Sequence, residues 1–85
     1  MKVRWLTGAA EDQRFWRDTD PRVALRVERL VASALKTPFG GLGKPEPLRG
    51  RLSGWWSRRI TREHRLVYRA EKGVLWILQA RYHYE

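Results

Sequence analysis

SRRITREHRLVY, residues 57–68, holds two short runs of strand composition around a polar break. Ser57 to Thr61 and Arg65 to Tyr68 both read as strand. Arg62-Glu63-His64 between them is short and polar, so the pair predicts an antiparallel hairpin. Five arginines crowd the hairpin and its flank: Arg58, Arg59, Arg62, Arg65 and Arg69. A hairpin that only fills a core has no use for so many. One that grips phosphates does, because a planar guanidinium clamps two oxygens at once and stays charged at physiological pH.

Period-two patterning begins just upstream. Leu52, Gly54, Trp56, Arg58 and Ile60 fall on one face, and Ser53, Trp55, Ser57, Arg59 and Thr61 on the other. Leu66, Tyr68 and Ala70 alternate with Arg65, Val67 and Arg69. After a turn at Lys72-Gly73, the mostly apolar run from Val74 to Tyr84 predicts a central strand buried on both faces. Residues 38–51 (PFGGLGKPEPLRGR) hold three Pro and four Gly, which excludes an interior strand or helix and predicts a long structured loop. In so small a chain a loop of that length is more often functional than decorative.

The N-terminal half is helical. Val3 to Leu6 predicts a first strand. Thr7 then stands where it can cap a helix reaching Asp18, with Glu11 and Asp12 near its positive end. A second helix starts from Asp20 as cap with Pro21 in the first helical position. Val23, Val27, Leu30, Val31 and Ala34 build one apolar stripe, Arg22, Arg26 and Arg29 lie off it, and Thr37-Pro38 ends it. Strand, helix, helix, then strands predicts an α+β fold: two N-terminal helices packed on one face of a twisted antiparallel sheet, one domain spanning 1–85.

Composition narrows the function. The 85 residues allow one modest core, to which five Trp contribute much burial. No apolar run is long enough to span a membrane, and no secretory signal is visible at the N-terminus. With no Cys there are no disulfides or thiolate metal sites, which is compatible with a cytoplasmic location. The formal charge is +9. Residues 1–43 carry eight basic against five acidic side chains, and residues 44–85 carry ten against four. The second half therefore bears the character of a polyanion-binding surface.

Several residues are candidates for chemistry. Glu46 is an isolated carboxylate between Pro45 and Pro47, whose rings stiffen the backbone that carries it. It reads either as a salt-bridge partner for an arginine or as a general base. His83 sits between Tyr82 and Tyr84 at the end of the strand expected beside Arg65. His64 falls in the hairpin turn and reads as structural. Arg59 and Arg65 approach each other near that turn, and two such cations call for an anionic ligand or a neighbouring carboxylate, for which Glu63 is one candidate. A carboxylate, a histidine and clustered arginines suit acid–base cleavage of RNA. The base takes the ribose 2′-hydroxyl proton, arginine stabilises the phosphorane-like phosphate, and an acid protonates the departing 5′-oxygen. A non-catalytic RNA-binding module fits the same composition. No Cys and no clustered carboxylate pair point to chemistry without a metal or other cofactor.

Taken together, Trp5, Trp16, Thr19-Asp20, TPF at 37–39, GKPEPL at 43–48, LSGWWSRRITREHRLVY at 52–68 and RYHY at 81–84 resemble the YoeB-type toxins of the RelE superfamily. These are ribosome-dependent mRNA interferases of bacterial toxin–antitoxin pairs, and the resemblance covers nearly the whole chain. It implies the microbial-ribonuclease-like α+β fold of RelE-type toxins. It also implies a base at Glu46, a transition-state arginine at Arg65, an acid or phosphate-contacting residue at His83 and a substrate-orienting aromatic at Tyr84. Arg59 matches a phosphate-binding position and Lys44 a basic loop position; Arg81 joins them as a phosphate-binding candidate on the basic face. Arg49 stands where some relatives carry Lys, with the charge kept. Glu85 extends past the tyrosine that usually ends the family's chains and adds one carboxylate. The resemblance further implies a small acidic antitoxin of the YefM type as partner, a homodimer, and cleavage of mRNA in the ribosomal A site. A catalytically silent relative that binds RNA or antitoxin in operon repression is the competing expectation.

Overall fold

The computed structural model describes residues 1–82. Strand β1 (Lys2–Trp5) leads straight into helix α1 (Thr7–Thr19), and helix α2 (Pro21–Lys36) follows after a single residue, Asp20. A long loop then carries a two-residue strand β2 (Glu46–Pro47) and one 3₁₀ turn (Gly50–Leu52). Strands β3 (Trp56–Arg59), β4 (Arg65–Glu71) and β5 (Val74–Gln79) complete a five-stranded sheet in the order β1-β5-β4-β3-β2. Both helices contribute to one core on one sheet face, as the patterning predicts. Three pairings are antiparallel, and β1 joins the edge parallel to β5, so the sheet is mixed.

The apolar stripe of α2 explains its packing. Val27, Leu30, Val31 and Ala34 are buried, together with Ala24. They meet Ile60, Leu66, Tyr68, Leu75 and Ile77 from the sheet and Ala9 and Trp16 from α1. Pro21 occupies the start of α2, where its missing N–H costs nothing. The caps differ from expectation. Thr7 is itself helical, Leu6 stands at the cap, and neither Leu6 nor Asp20 makes a side-chain capping bond. The main-chain carbonyls of Leu6 and Asp20 accept the first helical N–H groups instead, from Ala10 and from Val23 and Ala24.

β5 is interior to the sheet but shorter than the apolar run suggests. Leu75 and Ile77 are fully buried, whereas Val74, Trp76 and Leu78 are half-buried, because helices cover one face only. The strand stops at Gln79 because α1 captures the next residue. Asp12 Oδ2 accepts the Ala80 N–H at 2.9 Å, and Trp16 Nε1 donates to the Ala80 carbonyl at 2.8 Å.

Arg58 overturns its reading as a phosphate-gripping residue. It is 0 % exposed and lies on the helix side of the sheet, in the alternation of Trp56 and Ile60. Its guanidinium spends every donor on neutral acceptors. Nε donates to Tyr68 Oη at 2.9 Å; Nη1 to Ser33 Oγ at 2.8 Å and Leu42 O at 2.9 Å; Nη2 to Thr37 O at 2.6 Å and Gly40 O at 2.7 Å. Ser33 and Thr37 belong to the end of α2, where the helix dipole is negative and a buried cation is favoured. The same wheel of bonds fixes the glycine-rich loop. Gly43, at φ +87°, lies so close to α2 that an added Cβ would meet Leu30 Cδ2 at 2.6 Å. Tyr68 Oη in turn donates to Pro38 O at 2.6 Å. Burial holds the Tyr68 phenol above its ordinary pKa of 10.0, against the lowering pull of Arg58. A phenol whose folded pKa is raised contributes stability that is present below the unfolded value and lost as pH climbs through the folded one.

Candidate active site

The helix-free face of the sheet gathers the candidate residues. Side chains alternate across a strand, and directly paired residues share a face. Glu46 pairs with Ser57, Ser57 with Val67, and Val67 with Gln79, which makes one row across four strands. One pleat along, Arg59 pairs directly with Arg65. Glu46 and the two arginines thus stand on the same face in adjacent rows, with Glu46 roughly 7–8 Å from Arg59 at the backbone diagonal and Arg65 one strand farther. The β4–β5 register shifts between Val67 and Tyr68, so that Leu78 is the extra residue and Gln79 comes onto the row of Glu46. Bulges of this kind re-aim side chains and are frequent beside active sites.

Local structure fixes each member. β2 is an edge strand of two residues, and Pro47 lies on that edge, where a missing N–H is tolerated. The loop that delivers Glu46 is tied to β3 by Arg59 N donating to Gly43 O at 2.8 Å. Lys44 follows in a left-handed conformation, φ 54°, with its side chain exposed. The hairpin turn closes through Ile60 N to His64 O at 3.0 Å, and Thr61 Oγ1 accepts from the N–H groups of Glu63 and His64. Arg65 is half-buried. Its Nη1 donates to the carbonyls of Thr61, Arg62 and His64, which aims the guanidinium and leaves Nε and Nη2 without a partner among the described residues. From behind, Arg26 on α2 donates to the carbonyls of Arg59 and Ile60 and braces the hairpin against the helix.

Two like charges placed opposite each other in a sheet repel. Glu63 does not relieve the Arg59–Arg65 pair: among the described residues the ion pair is Arg69 with Glu71, at 2.9 Å. Arg69 is thereby engaged elsewhere, and it also packs on Gly54. An anionic group lying across the Arg59–Arg65 row is therefore the natural complement to this surface.

The other expected residues are placed as follows. Arg49 is exposed beside the 3₁₀ turn, next to β2. Arg81 stacks its guanidinium over Phe15 of α1 at 3.5 Å and over Tyr82 at 4.6 Å, so its contacts run toward the helix rather than to the Arg59–Arg65 row. His83, Tyr84 and the extra Glu85 lie outside the described residues. Among the described residues no group of three or more His, Cys, Asp or Glu side chains is assembled. Arg26 and Asp12 went unnoticed as bracing residues in the sequence. Their only signal is charge set beside an apolar stripe, which a solvated face would also give.

Two helices on one face of a five-stranded mixed sheet, with a cationic far face, define a RelE-type toxin fold. The chain belongs to the YoeB-like toxins of bacterial type II toxin–antitoxin systems, whose family model matches residues 5–84. It is 48 % identical over 84 residues to Toxin YoeB of Escherichia coli (strain K12), covering 99 % of this chain and 100 % of the relative. The solved YoeB/ParE toxin from Agrobacterium tumefaciens is 49 % identical and superposes with a TM-score of 0.94, covering 99 % of this chain and 100 % of that one. YoeB from Staphylococcus aureus, 33 % identical, was solved as a dimer (TM-score 0.92) and in a heterotetrameric complex with YefM (TM-score 0.91); each covers 99 % of this chain and 98 % of the other.

Proposed function

We propose that this toxin is an endoribonuclease that cuts mRNA in the ribosomal A site and so blocks translation. The observation that carries the reading is the direct pairing of Arg59 with Arg65 on the helix-free sheet face, one row from Glu46. In this scheme Glu46 takes the 2′-hydroxyl proton and the oxygen attacks the adjacent phosphorus. Arg65 holds the charge that builds on the phosphate. His83 protonates the 5′-oxygen as its bond to phosphorus breaks, and Tyr84 orients the nucleotide. Lys44, Arg49 and Arg59 supply phosphate attraction. The products are a 2′,3′-cyclic phosphate and a 5′-hydroxyl end.

The test is expression with and without a cognate antitoxin, with mapping of mRNA ends. Growth arrest and new ends within reading frames, both suppressed by the antitoxin, are expected. A chain that binds ribosomes without producing new ends is instead the silent, repressor-type relative. Cleavage by purified chain on programmed ribosomes is also expected to proceed without a divalent ion held by the toxin. Activity lost on pre-treating the toxin with chelator, and restored by adding metal at constant ribosomal magnesium, would sink that part.

By analogy with the Staphylococcus aureus complex, the partner is an acidic YefM-like antitoxin, and the toxin self-associates as a homodimer. The formal charge of +9 steers an acidic segment toward the basic face. Association is expected to slow as salt rises through the range where the screening length falls from about 30 to 10 Å. Rates measured by stopped flow that stay flat across that range would show that apolar contacts control the encounter.

A further inference from the structure

The turn that follows β5 is held with unusual completeness, and His64 makes one of its bonds. His64 Nδ1 accepts the Tyr82 N–H at 2.7 Å, and the next residue, Arg65, donates its own N–H to the Tyr82 carbonyl at 3.0 Å. Consecutive residues at the start of β4 thus take both main-chain groups of Tyr82. Tyr82 has φ 64°, a left-handed conformation that a residue with a side chain keeps only when its surroundings impose it. The rest of the turn is bonded as well, with Ala80 N–H on Asp12, the Ala80 carbonyl on Trp16, and the Arg81 carbonyl accepting from Gln79 Nε2 at 2.8 Å. The imidazole itself is wedged, its ring 4.8 Å from that of Trp16 at 77° and 5.9 Å from that of Tyr82.

A ring nitrogen that accepts a main-chain N–H carries no proton, so the His64 proton resides on Nε2. An apolar ring in the same place would fill the turn but leave the Tyr82 N–H without this acceptor. What the bond does is set where the chain stands at Tyr82, beside the Arg65 main chain, one residue before His83. We propose that His64 is a positioning residue for cleavage: its Nδ1 and the Arg65 N–H together hold Tyr82 in its left-handed conformation against the Arg65 main chain. The proposal rests on the ribonuclease reading above. It predicts a role carried by the Nδ1 acceptor alone.

Asn is the discriminating substitution, because its side-chain oxygen sits near the place of Nδ1, whereas Leu keeps bulk and has no acceptor. Single-turnover cleavage on programmed ribosomes, ribosome affinity and melting are to be measured for His64→Asn, His64→Leu and Arg65→Ala. We expect His64→Leu to lose about 10²-fold in rate, as small misplacements of reacting groups do, with ribosome affinity unchanged. His64→Asn should recover most of that rate. The Tyr82 amide should be protected from hydrogen exchange in the wild type and in His64→Asn, and lose that protection in His64→Leu. Wild-type rate in His64→Leu beside an inactive Arg65→Ala would overturn the positioning role and leave the ribonuclease reading standing. Equal loss in Asn and Leu variants with equally lowered melting would reduce His64 to a structural residue. A rapidly exchanging Tyr82 amide in the wild type overturns the proposal without any variant. Normal cleavage in Arg65→Ala would remove the site reading, and this proposal with it.

Discussion

Replacing Arg65 with Ala is expected to bring cleavage of ribosome-bound mRNA close to background, and Glu46→Gln to slow it by about 10²–10⁴-fold, the range for loss of a general base. The two residues stand on the helix-free face in adjacent rows. The Arg65 guanidinium is already aimed by three turn carbonyls, so its stabilisation of the phosphate costs little reorganisation when charge develops. The stabilities should diverge. Glu46→Gln is isosteric and exposed at the sheet edge, so melting should move by less than about 0.5 kcal/mol. Arg65→Ala also removes bonds that close the hairpin turn, and Arg65→Lys separates the effects by keeping a charge without the planar fork. His83→Gln should slow cleavage over the same range as Glu46→Gln. All these variants should still bind ribosomes, because many arginines share the phosphate attraction. Full activity in Glu46→Gln would remove it as the base. Full activity in all of them would overturn the site.

The largest effect on stability is expected at Arg58. Arg58→Met fills much of the volume but removes the charged donor shared by the carbonyls of Thr37, Gly40 and Leu42 and the hydroxyls of Ser33 and Tyr68. Hydrogen bonds to a charged group contribute about 1.5–3 kcal/mol each, so even with partial relaxation the loss should reach about 3–5 kcal/mol. That is a large part of the stability of a chain this size, and it corresponds to a melting point lower by some 12–40 °C, at about 4–8 °C per kcal/mol. Arg58→Lys should also destabilise strongly, since one ammonium cannot reach acceptors spread from Ser33 to Tyr68. Calorimetric melting within a few degrees of wild type in Arg58→Met would show that the wheel of bonds is dispensable.

Arg58 also shows where the sequence stops being legible. Its charge groups it with Arg59 and Arg65, while its place in the period-two pattern groups it with Trp56 and Ile60. The pattern was the better guide, because alternation places Arg58 on the face that α2 covers whatever its charge. The stripe of α2, the hairpin at 57–68 and the opposition of Arg59 and Arg65 follow from local spacing and were readable. The direction of β1 was not, since alternation is the same for parallel and antiparallel neighbours. Nor was the end of β5, where the apolar run continues and only Asp12 and Trp16, far away in sequence, stop the strand. The segment at 38–51 was readable as a structured loop, yet its anchor lies in β3 and the end of α2.

The strand made last in time lies second in space. β5 is inserted between β1, made first, and β4. A nascent chain that has not yet released residues 74–79 leaves β1 with no strand to pair with and β4 bare along one edge. The Ala80 ties to α1, spanning 68 and 64 residues of sequence, are absent too. Such long-range closure comes late in assembly. The sheet therefore closes in one late step, in which the β1 and β4 edges and the Ala80 ties all find their partners together.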